Sequence, residues 1–489
     1  MKKPNLNLVA FLFVALAFAV SFSACKKDDD PVAGPKVTAP ATQNIKAEES
    51  VDLTFNYTAA AGFKSAAIVV ENGSADIKTN GTDGATSGAI VVTFTAGTTT
   101  GAASVKLTVT DKNNAVDDAT GVVNVGTEEM IVYVNSNITA DETWTTGKVY
   151  VLKSRIAVVN GVTLTIEPGV IVKGEAGTQA NATALLIARG AKLMAEGTAQ
   201  SPIIFTSVAD EIMPGEIASP NLAPDVAGLW GGLLILGNAR ISASNESGDV
   251  SEVQIEGIPT SDPNGLYGGN DNADNSGVIK YISIRHGGTD IGAGNEINGL
   301  SLGGVGSGTV IENVEIVSNQ DDGIEFFGGT VNLKNAVVWN VNDDAIDTDQ
   351  SYNGTVDNFI ILSPTGHNFE LDGPEGSYQA GHIIKNGTVV CSDDEFGRVA
   401  SDLINVDANS IVDLQNIYFT AIVEGQMINR VTAEGVAFNS IMLNVAAGDL
   451  ASHVNGDVPA GVTAGGTPQA DATVFGWTWA SVAGKLAGL

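Results

Sequence analysis

The amino-acid sequence predicts an all-β chain in two parts, a sandwich of immunoglobulin-like type followed by a solenoid of short strands. Three observations lead there. Glycine is abundant, at 57 of 489 residues, and charged residues make up only 16%, a composition that suits short strands and turns rather than long helices. Residues 37–126 alternate apolar and polar side chains in runs of strand length. Beyond residue 128 the runs shorten and turn residues return at a nearly constant interval, the mark of a stacked repeat. The formal net charge of −32 sets the chain against nucleic acid and anionic membranes as partners. An anionic polymer would need a local basic patch or a bridging cation.

The N-terminus carries a targeting segment. Lys2 and Lys3 precede an unbroken apolar run of 13 residues, Leu8 to Val20, too short for a bilayer and of signal-peptide length. It ends in SFSAC, with small Ser23 and Ala24 before Cys25. This resembles a bacterial lipobox, with Phe22 in place of the usual Leu or Val. The resemblance implies a lipoprotein signal peptide over 1–24 and lipidation of Cys25. The following KKDDD resembles the surface-export signal of Bacteroidota-type lipoproteins. It implies an outer-membrane lipoprotein exposed at the cell surface, held to outer-membrane lipid through Cys25. Residues 25–36 read as a tether. The only other cysteine is Cys391, expected as a buried small hydrophobe.

Within 37–126, VDLTFNYTA, SAAIVVENG, GAIVVTFTAG and ASVKLTVTDKNNAVDDATGVVNV read as strands, the last as a hairpin turning at DKNN. Such spacing implies a sandwich. It carries no chemistry and reads as a spacer. From residue 128 to 489 the texture changes: GVTLTIEPGVIVKG (161–174), ALLIARGAKLMAEG (184–197) and WGGLLILGNARIS (230–242) are short apolar strands with glycine turns. Further on, Asn recurs before a strand at 313, 335, 358, 386, 416 and 439, with spacings of 22, 23, 28, 30 and 23. Asn tolerates positive φ at a corner, and its amide can bond the Asn one coil away. The series resembles the asparagine ladder of right-handed parallel β-helices, the pectin-lyase-like fold. The longer spacings read as loop insertions between coils.

Counting back from each Asn gives Ser301, Glu325, Asp347, Glu370, Asn405 and Asn429, each flanked by apolar residues, as in GIEF and AIDT. Side chains alternate along a strand, so these six form one outward column. Coils stack about 4.8 Å apart. At that spacing two carboxylates repel by about 3 kcal/mol at an effective dielectric near 20. Glu325, Asp347 and Glu370 therefore call for a bridging cation, Ca2+ by their oxygen chemistry, or a raised pKa; a hydrated acidic face is the alternative.

Upstream of the column, NQDDG, NDDAID and TGHN are similar, in order and coil spacing, to the NTD, DD and GHG motifs of pectin-degrading polygalacturonases. The resemblance implies acid–base chemistry by Asp321, Asp343, Asp344 and His367. Gln320 and Asn368 depart from the pattern, and Gly397-Arg398-Val399 stands where that family has RIK. A lyase would use Arg398 or Arg430 as base. Trp339, with Asp322, Asp349 and Asp372, is the candidate set for ligand contact, Trp339 by stacking on a sugar. Arg285 and His286 read as structural or rim residues. The stretch from Ala243 to Gly277 reads as a lid over the acidic face or a long loop, and WTWA near Trp477 and Trp479 as the piece closing the solenoid's end. TIEPGVIVKG, GLYGGND, IRHGG and DDGIEFFGG together resemble a recurrent type of secreted Bacteroidota β-helix lipoprotein, which implies the fold and no established activity. The leading expectation is a surface protein that binds glycan or another extracellular ligand, calcium-assisted. The alternatives are a polysaccharide hydrolase or lyase of pectin type, and a structural or adhesive protein with no small-molecule site.

Overall fold

A computed structural model describes residues 32–126, 130–178, 181–290 and 297–489. Cys25, the signal peptide and most of the tether lie outside the described residues. The chain divides into two compact units near residue 128.

The first unit is a sandwich of two four-stranded sheets. One orders Lys36–Thr38, Ser50–Thr58, Ser87–Ala96 and Gly73–Thr79; the other Gln43–Lys46, Val116–Gly126, Gly101–Asp111 and Phe63–Glu71. The alternation read from the sequence places Leu53, Phe55, Ile90, Val92, Val105 and Leu107 in its core. The predicted hairpin turns at DKNN, where Asn114 adopts φ 65°.

The second unit is a right-handed parallel β-helix. Its coils stack a long sheet against an eight-stranded sheet of short strands. The short strands, in order, are Ile156–Val158, Leu185–Ile187, Leu233–Leu236, Leu300–Gly303, Ile324–Phe327, Ile346–Asp349, Phe369–Leu371 and Asn405–Val406. Every pairing along that sheet is parallel and in register. Inward residues such as Ile235, Leu302, Phe326, Ile346 and Phe369 join those of the long sheet in one continuous core.

The asparagine ladder bends the strands of the long sheet. Asn313, Asn335, Asn358, Asn386 and Asn416 all have φ between 55° and 62°. Asn335 donates to Asn313 at 3.0 Å, Asn358 to Asn335 at 2.8 Å and Asn416 to Asn386 at 2.9 Å. Two rungs differ from expectation. Asn386 bonds Asp357 rather than Asn358, across the longer loop insertion. Asn439 pairs with Gln415, so the rung itself falls to Ser440, at φ 58°.

The stretch WTWA does not close the solenoid. The C-terminal segment doubles back along the outside of the long sheet: Gln469 N donates to Thr388 Oγ1, Asp471 N to Asn358 Oδ1 and Ala480 N to Glu315 Oε1. Trp477 packs edge-on to Tyr281, and Trp479 to His286 and Trp339. Arg285 lies over the Trp479 ring, 3.6 Å from Glu315. Arg285 and His286 are thus structural and fully covered. The reason is apolar area: Val317, Val337, Trp339 and Ile360 face outward on that sheet and need a cover, which Phe475, Trp479 and Leu486 supply.

Candidate functional site

The outer face of the short-strand sheet carries three parallel files of side chains. The middle file is the column expected from the sequence. Ser301 registers with Glu325, Glu325 with Asp347, Asp347 with Glu370 and Glu370 with Asn405. Asn429 follows through the bridge between Ile404 and Ile428. Three residues upstream, on the turns entering each strand, stand Asn298, Asp322, Asp344, His367 and Asp402. His367 bridges Asp402, and Asp344 N donates to Asp322 Oδ1 at 2.9 Å. Two residues downstream of the column stand Phe327, Asp349, Asp372 and Asp407.

The file is not a uniformly hydrated face. Followed towards the N-terminus, its positions become Leu234, Leu186 and Ala157. The stretch from Ala243 to Gly277 covers this apolar part. It folds into two small hairpins, Ala243–Asn245 with Gly248–Val250 and Val253–Gln254 with Leu266–Tyr267. Ile255, Ile258 and Tyr267 bury against Leu186, Leu234, Leu236 and Phe327. Arg189 clamps it through Gly268 O and Glu252. Where the cover ends, Ser301 is 2% and Glu325 7% exposed, whereas Asp347, Glu370, Asn405 and Asn429 are half-buried. The acidic face therefore opens towards the C-terminal coils.

Burial decides the protonation of this face. Glu325 is pushed well up, by burial first and then by Asp322 and Glu256. Asp322 is pushed up likewise by burial and then by Asp347, and Asp347 by burial and then by Glu325 and Glu370. Asp349 rises to about 7, by burial and Glu375; Asp372 rises through burial and Asp407. Asp344 goes the other way. Burial opposes ionisation there, but hydrogen bonds from His367 and Glu370 outweigh it and hold the pKa down. Glu370 rises to about 8, by burial and by its hydrogen bond to Asp344. The Asp344 contact raises His367 against the effect of its burial.

Three groups of side chains result. Asp344, His367 and Glu370 bring ligand-type atoms within 4.8 Å of one another. His367 Nδ1 lies 3.0 Å from Asp344 Oδ1, and the His367 backbone N–H donates to the same oxygen. Asn405 Nδ2 donates to Glu370 Oε1 at 2.8 Å. Asp321, Asp322 and Asp343 form the second group, and Asp322, Glu325 and Asp347 the third. The Glu325–Asp347–Glu370 set expected for a metal is thus divided: Glu370 belongs with Asp344 and His367. The donors that suit a hard cation are Asp322, Glu325 and Asp347, all oxygen, with Asp347 Oδ1 buried and lacking a hydrogen-bond partner.

Gly366 fits this arrangement. A Cβ there would collide with Asp343 Oδ1 and Asp344 Oδ1, so the glycine lets both carboxyls lie against the next coil. The motif TGHN contained that signal. The pairing of Asp344 with Glu370 carried none, because the two lie in different coils and on different files.

Several expectations are corrected. Trp339 is 0% exposed. It sits on the long sheet between Phe396 and Trp479, away from the acidic face, and offers no platform for a sugar. Arg398 is no base: its guanidinium is buried and bonds Ser363 O, Asn342 Oδ1 and Val341 O. Arg430 is tied to Asp407 and Val406 O. Cys391 is buried, and burial raises its thiol above its ordinary pKa.

A solenoid of parallel coils with files of carboxyl and imidazole groups on one outer sheet defines the class: a parallel β-helix protein with an acidic face. More particularly, a family model described as a pectate-lyase like beta helix domain matches residues 136–458, and the chain belongs to that family. No curated protein matches the chain. Among solved structures, it is similar to the catalytic unit of a thermostable GH87 alpha-1,3-glucanase from Streptomyces thermodiastaticus strain HF3-3, with 11% identity and a TM-score of 0.25 over 85% of this chain and 90% of that one. It is also similar to a family 28 exopolygalacturonase from Yersinia enterocolitica, with 10% identity and a TM-score of 0.19 over 89% and 97%. At such scores neither carries an argument about the site.

Proposed function

We propose that the protein cleaves glycosidic bonds of an extracellular polysaccharide at the open part of its acidic face. One observation carries this reading: Asp344, His367 and Glu370 bring polar side-chain atoms within 4.8 Å of one another, with His367 Nδ1 3.0 Å from Asp344 Oδ1. Two carboxyl groups driven apart in pKa are the ordinary basis of an acid–base assignment. Glu370, half-exposed and protonated to about pH 8, is the proton donor to the leaving sugar oxygen. When it gives up that proton, two carboxylates face each other, and the His367 imidazolium offsets the added charge. To Asp343, the exposed member of its group, this reading gives the role of activating water. The test is release of reducing ends from a panel of neutral and acidic polysaccharides. Glu370→Gln and Asp343→Asn should each lower release about 100-fold or more, the scale of a lost general acid or base. Binding without release, unaltered by Glu370→Gln, would leave a glycan-binding protein instead.

A second reading, calcium-assisted ligand binding, is supported by the buried Asp347 Oδ1 without a partner beside Asp322 and Glu325. Calorimetric titration with CaCl2 tests it, with Asp347→Asn expected to abolish a saturable signal. The lipoprotein reading is supported by SFSAC at 21–25. Labelled palmitate incorporated into the wild type and not into Cys25→Ala would support it; equal labelling would end it.

A further inference from the structure

The chain has six arginines, and five of them are engaged. Arg155 pairs with Asp262, Arg189 with Glu252, Arg285 with Glu315 and Arg430 with Asp407, while Arg398 is spent on carbonyls and Asn342. Arg240 differs. Among the described residues, no carboxylate lies within ion-pairing distance of its guanidinium and no acceptor takes a hydrogen bond from it. Its plane rests instead on the Tyr378 ring, 3.8 Å from the centroid. Stacking of this kind fixes the guanidinium while leaving its edge donors free.

That edge borders a cleft of about 280 Å3 between the Ala243–Gly277 stretch and the loop that carries Gly376, Ser377 and Tyr378, lined also by Ser242, Asp249, Ser251 and Asn270. The walls are fastened to each other. Gly376 N donates to Ser242 Oγ at 3.1 Å, and Ser377 N donates to Asp249 Oδ1 at 3.1 Å. Ser244 Oγ donates to Glu375 O at 2.9 Å. The Ser377 hydroxyl also bonds Asp249 and keeps its carboxylate ionised. The cleft therefore offers a fork of cationic donors together with an anionic acceptor and hydroxyl and amide groups. A volume just below the usual range of small-ligand sites, about 300–1,000 Å3, suits one sugar unit.

We infer that this cleft binds a sugar residue bearing a carboxylate, with Arg240 forked on the carboxylate and Asp249 accepting from ring hydroxyls. A guanidinium edge matches a carboxylate in two parallel hydrogen bonds, and an ionised Asp is an acceptor only. The reading does not depend on the acid–base site, which lies on other residues.

The test is titration of the whole protein with sodium glucuronate, glucose and sodium acetate, followed by calorimetry or ligand-observed NMR. Glucuronate should bind saturably in the millimolar range, acetate more weakly and glucose undetectably. Arg240→Ala should weaken glucuronate at least about tenfold, the scale of one charge-assisted pair. Arg240→Lys, which keeps the charge and loses the planar fork, should also weaken it. Arg240 is exposed, and unchanged thermal unfolding confirms that the variants fold. Binding should be unaltered in Glu370→Gln. Absence of glucuronate binding, equal binding by Arg240→Ala, or acetate binding as tightly as glucuronate would each overturn the proposal.

Discussion

The two halves of one outer face make an instructive contrast. Leu186, Leu234, Ser301, Glu325 and Asp347 occupy the same position in successive coils, on the same file of the same sheet. The first two are sealed under a folded insertion with Ile255, Ile258 and Tyr267. The last two are carboxyls at the point where the cover gives out. Backbone pairing is equal in both halves, so the coil sets only the address of a side chain. What sits there decides whether the address is core or site. Apolar residues recruit a cover because burying them is favourable. Carboxyls resist a cover because desolvation disfavours their charge.

The contrast can be broken at either end. The largest effect is expected from Leu234→Ala, which leaves a cavity between sheet and insertion; chemical denaturation should report a loss of about 2–5 kcal/mol. A loss under about 1 kcal/mol would mean that the insertion is a loosely held loop rather than part of the core. Asn335→Ala comes next. It removes two ladder hydrogen bonds and places Ala at φ 60°, and should cost about 1–3 kcal/mol. Glu325→Gln should act in the opposite direction, stabilising the fold by about 1–3 kcal/mol near pH 8 because a buried carboxyl no longer has to be kept neutral. Destabilisation by that variant would instead point to a bound cation holding the native carboxylate.

The smallest effect is one of pH. Glu370 rises from 4.5 to about 8 and Asp349 from 3.8 to about 7 on folding. Between the ordinary and the raised values the native state holds protons that the unfolded chain releases. The unfolded state then binds fewer protons, and stability falls as pH rises through that window. Thermal unfolding should occur a few degrees lower near pH 8 than near pH 5, the reverse of a fold held by ionised carboxylates. Added CaCl2 should reduce that loss if Asp322, Glu325 and Asp347 hold the ion, since an ion bound only by the native state favours it.

Much of the solenoid was legible because its signals are local and repeated. The interval between asparagines sets the coil, and the count back to GIEF, AIDT and NFEL gave a register that the strand pairings match. Where the signal was a single residue, it slipped: Asn439 misses its rung by one, and Ser440 takes the positive φ. Trp339 was misplaced for a different reason. Its neighbours Phe396 and Trp479 arrive from 57 and 140 residues downstream, and nothing in the local pattern announces them.

The sequence by itself determined the coil, the asparagine corners and the file on which the carboxyls stand, because a stacked repeat translates spacing directly into position. Only the tertiary structure decided which of those carboxyls are covered, that Glu370 joins Asp344 and His367 rather than Glu325, and that Arg240 is left facing a cleft. Those outcomes depend on where inserted loops and the C-terminal segment land on the solenoid. That landing is governed by the burial of apolar surface between distant segments, which has no period along the chain.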